Sequence, residues 1–151
     1  MIIPLIILWA SAATAYTHRF SVATEFSFWI AVILILFGLT LGIATSRLFL
    51  KFGEGTPAPW DPPKKLVIRG PYRYVRNPMI SSVLISLTAE AIYFQSWPLL
   101  VWMGTFLLVN VIYFPLVEEK GLVARFGEDY KLYQANVPRW LPRLTPWSGH
   151  R

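Results

Sequence analysis

Cysteine is absent from the 151 residues, which excludes disulfide frameworks, thiolate zinc sites, cysteine nucleophiles and iron–sulfur ligation together. Histidine is almost as scarce, with only His18 and His150. The topology derived below puts them on opposite sides of a membrane, so they assemble neither a metal site nor a Ser-His-Asp relay. Charge is thin as well, at 15% of residues against 55% hydrophobic and 16% aromatic. A chain this apolar does not have water as its main solvent. No Gly-x-Gly-x-x-Gly, P-loop or His-Glu-x-x-His pattern occurs, and Gly53-Glu54-Gly55 sits in a proline-rich loop rather than at a strand-to-helix turn. The net charge of +6 flanks apolar blocks instead of forming a separate basic stripe, which argues for a membrane and against nucleic acid.

What is present is a series of apolar runs. Residues 1–17 carry no charge, and residues 26–46 form a second charge-free run of 21. Both read as membrane spans. Ala10-Ser11-Ala12 has the small residues of a signal-peptide cleavage site, but no basic stretch precedes the run, which therefore reads as a retained helix. Between Arg76 and Glu118 lie 41 residues whose single charge is Glu90. At about 1.5 Å per residue one such helix would be twice the ~30 Å hydrocarbon thickness, so the block must fold back. Gln95-Ser96-Trp97-Pro98 marks the break, because proline cannot continue the preceding helix and tryptophan suits an interface.

The basic residues orient these spans. Six of the 14 lie in Lys51–Arg76 and six after Glu118, whereas the first short loop has only Arg19. The middle loop, the tail and the N-terminus are therefore expected in the cytoplasm. The resulting expectation is an all-α integral membrane protein of one domain, with spans at about 1–17, 26–48, 78–95 and 98–117. A cytoplasmic loop covers 51–77, and a cytoplasmic tail, 118–151, contains an interfacial helix. The loop residues Thr56 to Pro63 are stiffened by proline and carry Trp60, so they are expected to hold a fixed shape. In the tail Leu122, Phe126, Tyr130 and Tyr133 share one helical face, which Gly127 is expected to interrupt.

Polar groups concentrate at the cytoplasmic ends of the third and fourth spans. Arg73, Arg76 and Asn77 enter one, and Glu118 and Glu119 leave the other. Adjacent legs of a hairpin bring these ends together, with Tyr130, Tyr133 and Arg139 of the tail above them. The bland alternative is a set of boundary charges that snorkel and fix topology. Glu90 lies near the outer end of its span, where His18 or Arg19 offers a partner, and it reads first as structural. Gly38, Gly42 and Gly104 read as sites of close helix packing.

Three stretches carry a resemblance. They are Gly55-Thr56-Pro57-Ala58-Pro59-Trp60-Asp61-Pro62-Pro63-Lys64-Lys65-Leu66, Gly70-Pro71-Tyr72-Arg73-Tyr74-Val75-Arg76-Asn77-Pro78-Met79, and Glu118-Glu119 through Arg125-Phe126-Gly127-Glu128-Asp129-Tyr130, Tyr133 and Val137-Pro138-Arg139. In order and spacing they resemble the membrane-embedded isoprenylcysteine carboxyl methyltransferases and phospholipid methyltransferases, particularly their small bacterial members. The resemblance implies an all-α enzyme of a bacterial inner membrane. It implies S-adenosylmethionine bound between the third and fourth spans and the tail, and a lipid-like or apolar acceptor entering from the bilayer. In the family's Arg-His-Pro-x-Tyr-x-Gly segment Arg76 and Pro78 match, and Glu118 and Glu119 match its acidic pair. Asn77 stands for His, Ile80 for Tyr and Ser82 for Gly.

On that resemblance the cofactor-binding residues are Asn77, Pro78, Glu118, Glu119, Tyr130, Tyr133 and Arg139, and the catalytic candidates are Arg76 and then Arg73. Glu118 or Glu119 would pair with the methionine ammonium. Tyr130 or Tyr133 would shape the adenosine pocket, and Arg76 would steer an anionic acceptor or the cofactor carboxylate. Asn77 cannot titrate, and this tilts the acceptor towards a ready nucleophile such as a carboxylate, although Glu118, Glu119 or a tyrosine remains available as a base. Other classes remain open. They are a reductase using a nicotinamide cofactor, as in the similar C-terminal halves of membrane sterol reductases, a four-span transporter using Glu90, and a non-catalytic scaffold.

Overall fold

The computed structural model describes residues 2–12, 19–54 and 63–149, and every regular element among them is helical. Helix α1 covers Ile2–Ala12, α2 Phe26–Leu48, α3 Pro78–Tyr93, α4 Trp97–Tyr113 and α5 Glu119–Asn136. A wide π-turn at Phe49–Gly53 extends α2, a second at Phe114–Glu118 joins α4 to α5, and a 3-10 turn spans Gly70–Arg73. The apolar runs of the sequence thus become the helices, and their breaks have local causes. Between α3 and α4, Gln95 takes a left-handed φ of 44° and Pro98 enters at the start of the next helix. Gly127, with φ 55° and ψ −130°, kinks α5 as expected. Two continuous stretches, Phe26–Gly53 and Trp97–Asn136, are long and apolar enough to cross a bilayer, while α1 and α3 are apolar but shorter. Residues 1, 13–18, 55–62 and 150–151 lie outside the described residues, and with them His18, His150, Trp60 and most of the proline-rich segment.

The chain forms two compact units. The first takes 1–39 and 82–112. Gly38 on α2 lets that helix approach α3, since a Cβ there would stand 2.6 Å from Ser86 Oγ and 3.1 Å from the Ser82 carbonyl oxygen. By contrast a Cβ on Gly104 would meet nothing within 4 Å among the described residues, so the packing role expected there is not found among them. The first loop is tied to the α3–α4 turn. Ser21 N–H donates to the Tyr93 carbonyl at 2.8 Å, and Gln95 Nε2 donates to Glu25 Oε2 at 3.0 Å. Phe20, Phe28, Tyr93 and Phe94 stack edge-on or tilted beside these bonds. Arg19, offered by the sequence as a partner for Glu90, pairs instead with Glu25, six residues away and shared with Gln95. Glu90 Oε2 is buried and has no hydrogen-bond partner among the described residues.

The second unit takes 40–81 and 113–151. Its core is Tyr130, Tyr133 and Val137, packed by Leu66, Ile68, Leu122, Val123, Phe126 and Trp147. The apolar face that α5 was expected to show is therefore real, and it is covered by the chain's own side chains. The described part of the middle loop is pinned by its backbone. Lys64 and Lys65 N–H donate to the Gly53 carbonyl at 2.8 and 3.1 Å, and Arg125 Nη1 donates to the Pro63 carbonyl at 3.3 Å. After α5 the chain is extended. It is strapped to the segment ahead of α3 by Arg76 N–H to the Pro138 carbonyl, Arg143 N–H to Tyr74 and Trp147 N–H to Arg73, each at 2.9 Å.

Candidate functional site

The site lies wholly within the second unit and begins at a proline. Pro115 interrupts the helical run from α4, where it has no N–H to donate and its ring crowds the carbonyl one turn back. The helix accommodates this by widening to a π-turn over Phe114–Glu118, closed by Glu119 N–H to the Phe114 carbonyl. Two adjacent carboxylates follow on this widened stretch, and their environments differ.

Glu119 is 5% exposed and saturated. Its Oε1 accepts from Arg76 Nη1 at 2.8 Å and from Arg139 Nε at 2.6 Å. Its Oε2 accepts from Arg139 Nη2 at 2.8 Å and from Gln134 Nε2 at 2.9 Å. Four donors match the roughly four lone-pair positions of a carboxylate, and the Arg139 contact is the bidentate fork. Bonding to Glu119 raises the Arg139 pKa above its ordinary value, against the opposing effect of burial. The Arg76 side chain is only 8% exposed, so these are not boundary charges that snorkel. Glu118 is half-buried and makes no hydrogen bond or ion pair among the described residues.

The tyrosines stand around this network as core residues. Tyr133 donates its hydroxyl to the Tyr72 carbonyl at 2.7 Å, and Tyr130 and Tyr133 meet edge to face at 6.0 Å. Burial pushes the phenols of Tyr72, Tyr130 and Tyr133 above the ordinary range. Tyr133 adds to the effect on Tyr72, Tyr130 to that on Tyr133, and the Glu119 charge to that on Tyr130, partly offset by Arg76. All three stay protonated at neutral pH, and none is a base. Arg73 is engaged with the strap, its Nε donating to the Trp147 carbonyl at 2.8 Å. Pro78 is fully buried at the first position of α3, where a missing N–H costs nothing.

Among the described residues Arg76 and Glu119 meet across 43 positions of sequence, with Arg139, Gln134 and Tyr130 around them. Gln134 and Trp140 were not singled out in the sequence. Gln134 gave no signal, since one amide on a polar helix face is ordinary, whereas Trp140 follows Arg139 in a stretch too proline-rich to be helix. Arg76 Nε, Asn77 Nδ2 and Trp140 Nε1 are buried without a hydrogen-bond partner among the described residues. An open groove of about 330 Å³, at the small end of ligand pockets, is lined by Pro115, Glu119, Lys120, Val123, Ala124 and Gln134. No group of three or more metal-ligating side chains occurs among the described residues.

Comparison with known proteins adds one finding. The family model for phospholipid methyltransferases matches residues 26–129, more than half of the chain. The match includes Arg76, Asn77, Glu118 and Glu119 and stops short of Tyr130, Tyr133, Gln134, Arg139 and Trp140. No curated protein matches the chain significantly.

Proposed function

The chain belongs to the phospholipid methyltransferase family, and from that premise we propose that it moves a methyl group from S-adenosylmethionine to a lipid-like acceptor at the cytoplasmic face of a membrane. In this reading α1 to α4 are all spans, and α5 with its strap caps the site. The observation that carries it is the contrast between the two carboxylates. Glu119 is locked by Arg76, Arg139 and Gln134, while Glu118 beside it has no partner among the described residues.

The residues present fit an amino-acid headgroup. Glu118 would hold the ammonium, and the unpartnered donors around Arg76 fit a carboxylate. Arg139 keeps Glu119 in place. S-adenosylmethionine, when bound, supplies a methyl group already activated on sulfur, so an ionised acceptor needs only alignment and desolvation. Among the described residues, the side chains near the site supply no free base. Glu119 is saturated, the three phenols are held protonated, Asn77 stands where the family motif has His, and Glu118 is committed to the ammonium. A protonated amine would need such a base, so the acceptor is assigned as a carboxylate or another nucleophile that is ready without proton removal.

Calorimetric titration of the detergent-purified chain with S-adenosylmethionine and S-adenosylhomocysteine tests this. The expected result is saturable binding by the wild type and loss of binding in Glu118→Gln at an unchanged unfolding midpoint. Absence of binding by folded wild-type protein would overturn the reading, and so would full binding by Glu118→Gln.

A further inference from the structure

Arg76 Nε, Asn77 Nδ2 and Trp140 Nε1 are buried and reach no acceptor among the described residues. Native proteins keep few such groups, because an unmet buried donor is costly. Two of the three, the guanidinium and indole nitrogens, can only donate. They belong to one neighbourhood. Arg76 and Asn77 are consecutive, and the Arg76 amide is bonded to Pro138, two residues before Trp140. Arg76 and Arg139, the residues immediately ahead of Asn77 and Trp140, both end on Glu119 Oε1. The Trp140 ring is seated against Phe114 at 5.7 Å and 75°, and Phe114 opens the π-turn that carries Glu118. Glu119 has no lone pair left for any of these donors, and Arg76 and Arg139 together carry one more charge than it neutralises, beside the Glu118 carboxylate.

We propose that Trp140, with Asn77 and the Nε edge of Arg76, binds an anionic oxygen group of a ligand, a carboxylate or a phosphate, and is a specificity-determining residue of this site. The identity of the ligand rests on the methyl-transfer reading. Two sources present the same chemistry, the amino-acid carboxylate of S-adenosylmethionine and the anionic head of the acceptor. Trp140 lies outside residues 26–129, so this part of the site comes from the tail rather than from the matched region.

Trp140→Phe keeps an aromatic ring against Phe114 and removes the N–H together with part of the indole's volume, and Asn77→Leu removes the amide at nearly constant volume. Asn77→Leu deletes a buried, unmet donor without opening a cavity, so this variant without ligand is expected to unfold at the wild-type midpoint or above it, whereas a structural role for the donors predicts a lower one. The Trp140→Phe midpoint also carries the packing lost with the smaller ring. Two titrants separate the sources: S-adenosylhomocysteine, and 5′-methylthioadenosine, which lacks the amino-acid portion. If the cofactor carboxylate is the ligand, Trp140→Phe binds S-adenosylhomocysteine about ten- to hundredfold more weakly and 5′-methylthioadenosine as the wild type does. If the acceptor head is the ligand, both titrants bind normally, and the stabilisation of wild-type protein by millimolar inorganic phosphate or acetate disappears in the variants. Equal affinities together with equal anion stabilisation, or a lowered midpoint in Asn77→Leu, would overturn the proposal. A wild type that binds no S-adenosylhomocysteine would defeat the methyl-transfer reading instead, and the phosphate and acetate comparison would then decide the role of the donors alone.

Discussion

A carboxylate that accepts four hydrogen bonds from three side chains has nothing left to offer a ligand, and this separates Glu119 from Glu118 although the two are neighbours in sequence. Their substitutions should diverge accordingly. Glu119→Ala leaves Arg76 buried with an uncompensated charge and is expected to destabilise the protein by about 3–5 kcal/mol. Glu118→Ala should cost little stability. Unfolding in mixed detergent reads the difference, and equal midpoints for the two variants would contradict the assignment of Glu119 as a structural lock. Glu90 is the other acidic residue at issue. Its buried Oε2 has no partner among the described residues, which is the feature a proton-coupled transporter would need. The proposed methyl transfer does not use it, so Glu90→Gln is expected to retain full transfer of a labelled methyl group into lipid. Loss of that activity with unchanged cofactor affinity would move the function towards the membrane-embedded acid.

At the scale of elements, the approach of α2 to α3 depends on the absence of a side chain at Gly38. An added Cβ would meet Ser86 Oγ at 2.6 Å and the Ser82 backbone oxygen at 3.1 Å. The first contact can be relieved by moving or removing a hydroxyl, but the second cannot without moving α3. Gly38→Ala is therefore expected to cost about 1–3 kcal/mol, and Ser86→Ala in the same chain should recover part of that loss. No recovery would show that the backbone contact dominates. Gly127 acts through conformation instead, since a Cβ there meets nothing within 4 Å but φ is +55°. The extended strap after Asn136 is held by three backbone hydrogen bonds to residues 73–76, and through it Arg139 reaches Glu119 and Trp140 reaches Phe114.

At the scale of the molecule, the buried phenols of Tyr72, Tyr130 and Tyr133 tie stability to alkaline pH. Burial raises all three above the ordinary value of about 10. Stability from a raised value is fully present below the unfolded pKa and is lost as pH rises through the folded one. The unfolding midpoint is expected to be insensitive to these groups through neutral pH and to fall above about pH 10, less steeply in Tyr130→Phe. A midpoint that holds steady well above that point would show that the three phenols are solvated. Much of this molecule was legible in the chain itself. Charge-free runs marked α2 and the α3–α4 hairpin, Pro98 and Gly127 marked breaks, and a hairpin of that length had to bring Arg76 near Glu118 and Glu119. Those features follow from local chemistry and chain length, which a sequence displays directly. Only the tertiary structure decided which glutamate was left without a partner among the described residues, that Arg19 turned to Glu25, that the apolar face of α5 was covered by Leu66, Ile68 and Trp147, and that Trp140 packed against Phe114. Each depends on which of several chemically equivalent partners, up to 74 residues apart for Arg73 and Trp147, the fold brings within hydrogen-bonding reach, and composition and spacing do not distinguish among equivalents.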